Sequence, residues 1–326
     1  MRVRTIDRPP DAFQRGLTEE QIDRICARVL CTEPVDAAEE LGLGTYNTTY
    51  RLDLAERSLV LRVAPEPDRG GDAGVDLRNE YAAAPYLVGL GPLVPGIVAA
   101  DFTRDLLPRD YLVQTLLPGR PAPEVLPTFP RERWVSFYRQ MGDITRRIHA
   151  VAGTGFGPVA DPRFDTWSDA LIDHFASEAA LYQELELAVD EVERVAEVVE
   201  RSREIFDAVE PHLLHGDLWH ANLLLDPDAR EPTITGVCDS DRASWGDPLA
   251  DWTIEKAGQR PGTERDTFWE TYGTLPDGPG ARLRSLVYRA RNVMGSRLDI
   301  ERRGLDIQQI PPQHWDLAPV LDALSA

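Results

Sequence analysis

Three oxygen-bearing side chains stand at a spacing that suits the transfer of a phosphoryl group. Asp217 is followed five residues later by Asn222, and Asp239 comes after a predicted hairpin that brings it back beside Asn222. Such a transfer needs a base that orients the attacking hydroxyl group and oxygen ligands that hold Mg²⁺ on the phosphates. We therefore expect Asp217 to be the catalytic base. Asn222 and Asp239 are the expected magnesium ligands, because Mg²⁺ prefers oxygen donors and keeps several waters.

The segment that carries these residues resembles a known family of small-molecule kinases. It contains His-Gly-Asp-Leu-Trp-His-Ala-Asn from His215, Cys-Asp-Ser-Asp from Cys238 and Trp-Gly-Asp-Pro-Leu-Ala-Asp from Trp245. The first run is similar to the protein-kinase catalytic loop. Together the three runs resemble the aminoglycoside phosphotransferase family, and the resemblance extends from about Leu43 to Trp252. It implies a phosphotransferase that moves the γ-phosphoryl group of ATP or GTP to an alcohol group of a small molecule.

Other residues of these motifs receive supporting roles from the same resemblance. His215 and Asp251 are expected to brace the catalytic loop, and an Asp at the start of a helix is also a common cap. Asp241 matches an acidic position that faces the acceptor site in relatives, and His220 is placed to contact phosphate or substrate. The candidates for the acceptor site are Asp241, His220, Trp245 and Asp173, with His174, Glu178 and Glu255 as further candidates on position alone.

The N-terminal part of the chain is expected to bind the nucleotide. A Gly-x-Gly turn follows the first long predicted strand, and glycines there let backbone N–H groups approach phosphates closely. The resembled kinases usually carry a lysine on the third strand, but the only lysine here is Lys256. Arg62 is expected to replace it and to pair with Glu80, because arginine is bidentate toward phosphate and carboxylate. The predicted nucleotide-binding residues are Gly42, Gly44, Thr45, Asn47, Arg62, Glu80, Gln114, Thr115 and Leu116.

Hydrophobic periodicity indicates the elements that must position these residues. The predicted strands cover 35–43, 50–54, 58–63, 97–102, 111–117, 223–225 and 234–238. The predicted helices cover 18–30, 75–87 and 132–150, with two more within 169–208. We therefore expect an α+β, two-lobed protein-kinase-like fold. Its small antiparallel N-lobe with an N-terminal helix would comprise residues 1–117, and its larger helical C-lobe, with the catalytic loop and acceptor pocket, residues 118–326.

Composition argues against several classes of partner. The 326 residues carry a net charge of −20, and a nucleic acid needs a basic surface. The apolar runs are too short for a membrane helix, and the N-terminus lacks a secretory pattern. Cys26, Cys31 and Cys238 are odd in number and scattered, which predicts reduced thiols in a cytoplasmic protein. We expect a monomer or dimer whose partners are a nucleoside triphosphate and a small hydroxylated acceptor.

Several alternatives remain open at this stage. Antibiotic inactivation is one role that the resemblance implies, and sugar, amino-alcohol or nucleoside kinases share the same fold. A nucleotide-binding pseudokinase is favoured by the missing lysine but opposed by the complete set of Asp217, Asn222 and Asp239. A metal-dependent hydrolase would use His215 and His220 with Asp217. Two histidines five residues apart do not share a helix face, and no suitable third ligand is near.

Overall fold

The computed structural model describes residues 1–8, 13–30, 33–42, 46–66, 76–302 and 304–325. The strands are β1 (Arg2–Arg4), β2 (Val35–Leu41), β3 (Thr48–Leu54), β4 (Ser58–Val63), β5 (Ile97–Asp101), β6 (Tyr111–Thr115), β7 (Arg120–Pro121), β8 (Gly157–Pro158), β9 (His212–Leu214), β10 (Leu223–Leu225), β11 (Ile234–Val237) and β12 (Ser244–Gly246). The α-helices are α1 (Glu19–Val29), α2 (Leu77–Leu87), α3 (Ala122–Val125), α4 (Trp134–His149), α5 (Trp167–Glu184), α6 (Asp190–Arg201), α7 (Arg203–Phe206), α8 (Trp252–Gly258), α9 (Thr267–Tyr272), α10 (Pro279–Arg302) and α11 (Ala318–Ser325).

These elements belong to two compact units. The first unit comprises Met1–Trp134 and His220–Ala243, and the second comprises Val135–Trp219 and Ser244–Ala326. The division differs from the one predicted at residue 117, because β7 lies beyond that residue and pairs with β10. This backbone pairing joins the segment after residue 117 to the β10–β11 hairpin in a separate three-stranded sheet, and both segments belong to the first unit.

The first unit is built on a six-stranded sheet with the order β1-β2-β3-β4-β6-β5. All neighbouring strands are antiparallel except β1, which pairs with β2 in parallel. Helix α1 packs on this sheet, and its Ile22 and Ile25 share a buried cluster with Leu52 of β3 and Leu61 of β4. Burial of such aliphatic side chains contributes roughly 1.5–3 kcal/mol each.

Helix α1 begins where the sequence places its capping box. The Thr18 backbone N–H donates to Gln21 Oε1 at 2.9 Å, and the Gln21 N–H donates to Thr18 Oγ1 at 3.2 Å. These two bonds satisfy backbone donors that the first turn of a helix leaves without partners. The predicted helix at 18–30 is therefore confirmed, with its first helical residue at Glu19.

The second unit is mostly helical. Helices α5, α6 and α10 enclose a buried cluster that includes Phe175, Tyr182, Val195 and Met294. A small antiparallel sheet with the order β8-β12-β9 lies in the same unit. The two helices expected within 169–208 are α5 and α6, with the short α7 after them. None of the helices in the described ranges is long and apolar enough to cross a bilayer.

Candidate active site

The β10–β11 hairpin brings the two predicted metal ligands together. Asn222 immediately precedes β10, and Leu223 lies opposite Val237 of β11. The Cys238 backbone N–H donates to the Asn222 carbonyl at 2.9 Å, so Asp239 follows directly beside Asn222. Asp239 has a φ of +67°, a left-handed conformation that Asp and Asn adopt more readily than other non-glycine residues. The hairpin predicted from the sequence thus positions both oxygen donors.

Arg62 occupies the centre of the polar cluster in the first unit. It lies buried on β4, and its Nη1 donates to Glu80 Oε2 of α2 at 2.5 Å. Its Nη2 donates to the Asp239 carboxylate and lies 3.6 Å from Asp241 Oδ2. The pair of Arg62 with Glu80 is therefore present as expected, and the same guanidinium also contacts the predicted magnesium ligand.

The charges in this cluster are unbalanced. Glu80, Asp239 and Asp241 bring three carboxylates to the single guanidinium of Arg62. Burial raises the pKa of Glu80, although the charge of Arg62 opposes that shift. The raised pKa values of the buried carboxyl groups reduce the negative charge that the cluster would otherwise carry.

Asp241 is enclosed within the first unit by two asparagines. Asn47 Nδ2 donates to its Oδ2 at 3.0 Å, and Asn79 Nδ2 donates to the backbone carbonyls of Asp241 at 2.9 Å and Ala243 at 2.8 Å. Burial raises the pKa of the Asp241 carboxyl well above its usual range, and the charge of Asp239 adds to the effect. The side chain proposed to face an acceptor is thus buried against Asn47 and Arg62. Asn79 carried no signal in the sequence.

The predicted phosphate-binding turn is described only in part. Gly42 lies in the turn after β2, and a Cβ at this position would lie 2.7 Å from Ile6 Cδ1. A side chain at Gly42 would therefore displace the end of the exposed Ile6 side chain. Gly44 and Thr45 lie outside the described residues.

Strand β6 ends at the segment that is expected to contact the purine. Thr115 is the last residue paired with β4, and its N–H donates to the Gly96 carbonyl at 2.9 Å. Leu116 then follows with 38% of its surface exposed. The Gln114 side chain is buried, and its Oε1 has no hydrogen-bond partner among the described residues. The backbone after Thr115 is therefore outside the sheet pairing.

In the second unit, the N-terminus of α8 holds the loop that carries Asp217. The His215 backbone N–H donates to Asp251 Oδ2 at 2.9 Å, and Thr253 Oγ1 donates to the Leu218 carbonyl at 2.8 Å. The same Asp251 oxygen lies 3.0 Å from His149 Nε2. Burial alone would raise the pKa of Asp251, but the hydrogen bond and charge of His149 lower it overall. His149 was not singled out in the sequence.

The remaining acceptor candidates occupy different environments. Trp245 is buried in β12, where a Cβ on Gly153 would lie 2.6 Å from its ring. Asp173 lies on the exposed side of α5 and pairs with Arg163 at 2.9 Å. His220 is exposed, in the short turn before β10. Trp245 therefore contributes to the core of the second unit.

A cavity of about 700 Å³ lies within the second unit, between α8, α9 and α10. Glu255 lines it, together with residues that the sequence did not single out. Lys256 is its neighbour in α8, with Nζ 3.9 Å from the centre of the Trp252 ring. Burial lowers the pKa of Lys256, while the nearby charges of Glu255 and Asp217 act in the opposite direction.

Among the described residues, no three His, Cys, Asp or Glu side chains are grouped so that they would hold a metal ion. A mixed site of one carboxylate and one amide, such as Asp239 and Asn222, is a different arrangement. It provides the kind of oxygen donors that Mg²⁺ accepts while it keeps water ligands.

Comparison with known proteins assigns the chain to a family. The model of the phosphotransferase enzyme family, APH, matches residues 37–284. The chain belongs to this family. The resemblance noted in the sequence is confirmed, and so is the activity class of a phosphotransferase with an alcohol group as acceptor. No curated protein is significantly similar to the chain.

Solved structures with the same fold cover nearly the whole chain. Aminoglycoside phosphotransferase APH(4)-Ia has a TM-score of 0.64 at 18% sequence identity, with 94% of this chain and 98% of that chain covered. A putative fructosamine-3-kinase from Haemophilus somnus 129PT has a TM-score of 0.63 at 15% identity, with 94% and 97% covered. A GDP complex of a mutant aminoglycoside 2'-phosphotransferase-IIIa has a TM-score of 0.61 at 15% identity, with 94% and 97% covered. The predicted α+β, protein-kinase-like fold class is therefore confirmed.

Proposed function

We propose that this phosphotransferase moves the γ-phosphoryl group of ATP or GTP to a hydroxyl group of a small molecule, with Asp217 as the base. The observation that carries the proposal is the pairing of Arg62 with both Glu80 and Asp239, beside Asn222. It supplies a phosphate-binding cation next to oxygen donors suited to magnesium. Fold relatives have been crystallised with ADP and hygromycin B, in the case of APH(4)-Ia, and with GDP.

The nucleotide would be held by the first unit. Arg62 carries the permanent charge for the phosphates, and Glu80 fixes the orientation of its guanidinium. The backbone after Thr115 would bind the purine edge, because it is not paired within the sheet. Asn47 is assigned to the support of Asp241 in this site, and the turn that begins at Gly42 would contact the phosphates.

Asn222 and Asp239 would hold Mg²⁺, because they supply the amide and carboxylate oxygens that this ion accepts. When bound, Mg²⁺ neutralises charge on the phosphates. The roles of the other residues follow from their own contacts. Arg62 orients the phosphates, and Glu80 keeps the guanidinium in place. Family membership gives the class of reaction, and these assignments propose which side chains perform it.

Asp217 would accept the proton of the attacking hydroxyl group. Its loop is anchored on one side by the bond between His215 and Asp251 and on the other by the bond between Thr253 and the Leu218 carbonyl. Anchors on both flanks limit movement of the carboxylate, which favours productive orientation of an acceptor. His215 and Asp251 are therefore proposed as positioning residues.

Replacement of the base tests this proposal. Asp217→Asn should reduce phosphoryl transfer by about 10²–10⁴-fold, because a positioned general base contributes that much. Nucleotide affinity, measured by calorimetric titration with Mg²⁺, should stay within about twofold, since the base acts on the acceptor. Asp228→Asn, in the exposed loop between β10 and β11, is the matched control and should transfer at the parental rate. Undiminished transfer by Asp217→Asn would remove Asp217 from this role.

The physiological role is a separate part of the proposal. Antibiotic inactivation and a sugar, amino-alcohol or nucleoside kinase activity use the same chemistry. A mass-shift screen against candidate acceptors separates them, because a mass increase of one phosphate identifies the acceptor. Failure of every acceptor, with intact nucleotide binding, would instead favour the pseudokinase alternative. The cytoplasmic location and the monomeric or dimeric state stay predictions.

A further inference from the structure

The cavity in the second unit has an unusual charge for so acidic a chain. Three arginines line it, Arg260, Arg265 and Arg289, against a single carboxylate, Glu255. The whole chain carries a net charge of −20. The local excess of guanidinium groups is therefore opposite in sign to the rest of the molecule, and such an excess attracts anions.

The arginines of the cavity have no acidic partner in the described part of the chain, and Arg260 and Arg289 are exposed to solvent. On α10, Arg284 pairs with Asp247 at 2.8 Å and Arg297 pairs with Glu191, whereas Arg289 has no carboxylate at ion-pair distance within the described ranges. The same holds for Arg260 and Arg265 among the residues that the structure describes.

Arg265 is held in place by a backbone group rather than by an acid. Its Nη1 donates to the Lys256 carbonyl at 2.7 Å, and its buried Nε has no hydrogen-bond partner in the described part of the chain. A buried donor without a partner costs free energy, so the protein does not satisfy all the donors of Arg265.

The one carboxylate of the cavity is already engaged. Glu255 Oε1 accepts from Gln259 Nε2 at 3.3 Å, and Oε2 accepts from Asn292 Nδ2. His314 adds little positive charge at neutral pH, because burial and the charge of Lys256 lower its pKa. The cavity thus offers guanidinium donors to a ligand, while its acidic oxygens are used within the protein.

Helix α8 connects this cavity to the loop of the proposed base. Its first turn holds the loop through Thr253 and the Leu218 carbonyl, with Asp251 bonded to His215. Its next residues, Ile254 and Glu255, line the cavity. A ligand in the cavity therefore lies on the same helix that positions Asp217, and both belong to the second unit.

We propose that this cavity binds the acceptor through a carboxylate or phosphate group, so that the acceptor is a hydroxylated anion rather than a polycation. That the ligand is the acceptor follows only if the proposed function is correct. That the ligand is negatively charged follows from the arginines alone. Guanidinium groups recognise both anions through paired hydrogen bonds. A polyamine acceptor would face repulsion from three arginines in the same space.

The charge of the cavity is testable without knowledge of the ligand. Trp269 lines the cavity, and its fluorescence is obtained as the difference between the spectra of the parent protein and of Trp269→Phe. Iodide should quench this Trp269 fluorescence more strongly than caesium does at equal, low ionic strength. Replacement of both Arg260 and Arg289 by Gln should abolish the preference for iodide. Equal or stronger quenching by caesium in the parent protein would overturn the inference.

A competition assay tests the choice of acceptor. The protein, Mg²⁺ and ATP or GTP are incubated with an equimolar mixture of three classes of acceptor. The anionic class contains sugar acids, hydroxy acids and sugar phosphates. The neutral class contains sugars and nucleosides, and the cationic class contains aminoglycosides and amino alcohols. Mass spectrometry should show phosphate first on an anionic member. Arg289→Gln should then raise KM for that acceptor about tenfold with kcat unchanged, because it removes a charged hydrogen bond. Arg282→Gln, exposed on the same helix, should leave KM unchanged.

The two assays separate the inference from the proposed function. Preferential phosphorylation of a cationic or neutral member would overturn the inference and support the proposed function. Phosphorylation of no member, with strong iodide quenching, would support an anion site and count against small-molecule transfer. A sugar phosphate that outcompetes every carboxylate would identify phosphate as the recognised group, and the reverse order would identify carboxylate.

Discussion

Arg62 and Asp239 lie 177 residues apart in the sequence, and the guanidinium of one donates a hydrogen bond to the carboxylate of the other. The same guanidinium donates to Glu80 of α2 at 2.5 Å. One β4 side chain therefore joins α2 to the end of the β10–β11 hairpin. This residue therefore holds the proposed metal ligand by a direct hydrogen bond.

Replacement of Arg62 should separate its charge from its geometry. Arg62→Ala leaves Glu80, Asp239 and Asp241 without their cation and should reduce the free energy of unfolding by about 3–5 kcal/mol. Arg62→Lys should lose less, because it keeps the charge but not the planar fork that reaches two carboxylates. Urea unfolding measures the stability, and titration with nucleotide and Mg²⁺ should show the same order of affinities. Equal losses of affinity in both variants would show that Arg62 does not bind phosphate.

Two replacements of Asn79 test its hydrogen bonds, and the isosteric replacement should destabilise the protein more than the truncating one. Its amide donates to the carbonyls of Asp241 and Ala243 at 2.9 and 2.8 Å. Asn79→Ala leaves these carbonyls unsatisfied and should cost about 2–4 kcal/mol. Asn79→Asp should cost more, although it is isosteric, because it places carboxylate oxygens against two acceptors. Thermal unfolding at neutral pH measures both variants, and a more stable Asp variant would contradict the observed geometry.

Glycine replacements should have opposite signs in two helices of the second unit. Gly142 lies inside α4, where a Cβ would approach Thr271 Oγ1 to 2.5 Å and the Phe268 carbonyl even more closely. Gly142→Ala should therefore destabilise the protein by about 1–3 kcal/mol despite the better helix propensity of alanine. Gly258 of α8 has nothing within 4 Å of a built Cβ. Gly258→Ala should stabilise by up to about 1 kcal/mol, and unfolding midpoints that shift in the same direction for both variants would contradict these expectations.

Asp251 should make stability depend on pH in the acidic range. Its pKa is lowered in the folded protein because His149 and the His215 backbone outweigh the effect of burial. A carboxyl with a lowered pKa stabilises fully above its unfolded pKa of about 3.9, and this contribution is lost as the pH falls through the folded value. The difference in unfolding free energy between the parent and Asp251→Asn should thus be constant near neutrality and shrink below about pH 4. A constant difference down to pH 3 would argue against this linkage.

Local signals in the sequence were sufficient for much of the fold. The capping box of Thr18 and Gln21 marks the start of α1, alternation marks β3, and a run rich in β-forming residues marks β4. The positions of Asn222 and Asp239 follow from a hairpin whose two short apolar strands are adjacent in the sequence. Arg62 could be paired with Glu80 because the missing lysine left one cation at the expected position.

The remainder depends on contacts between distant residues. Asn79 bonds a residue 162 positions away, and His149 bonds one 102 positions away, so neither carries a local signal. The charge of the cavity arises from two arginines between α8 and α9, which the fold brings together with Arg289 of α10. The sequence showed only that no lysine precedes Lys256, whereas the structure places its Nζ 3.9 Å from the centre of the Trp252 ring.

Strand β1 affects the tendency of the sheet to associate edge to edge with other copies of the chain. Its three residues pair in parallel with Ala37, Ala38 and Glu39, along what would otherwise be the open edge of the sheet at β2. Arg4 adds an ion pair with Glu39 at 3.3 Å, which places charge on that margin. Covered and charged edges disfavour strand addition by another chain. The first few residues thus cover the β2 edge with a short, charged strand, which disfavours aggregation through that edge.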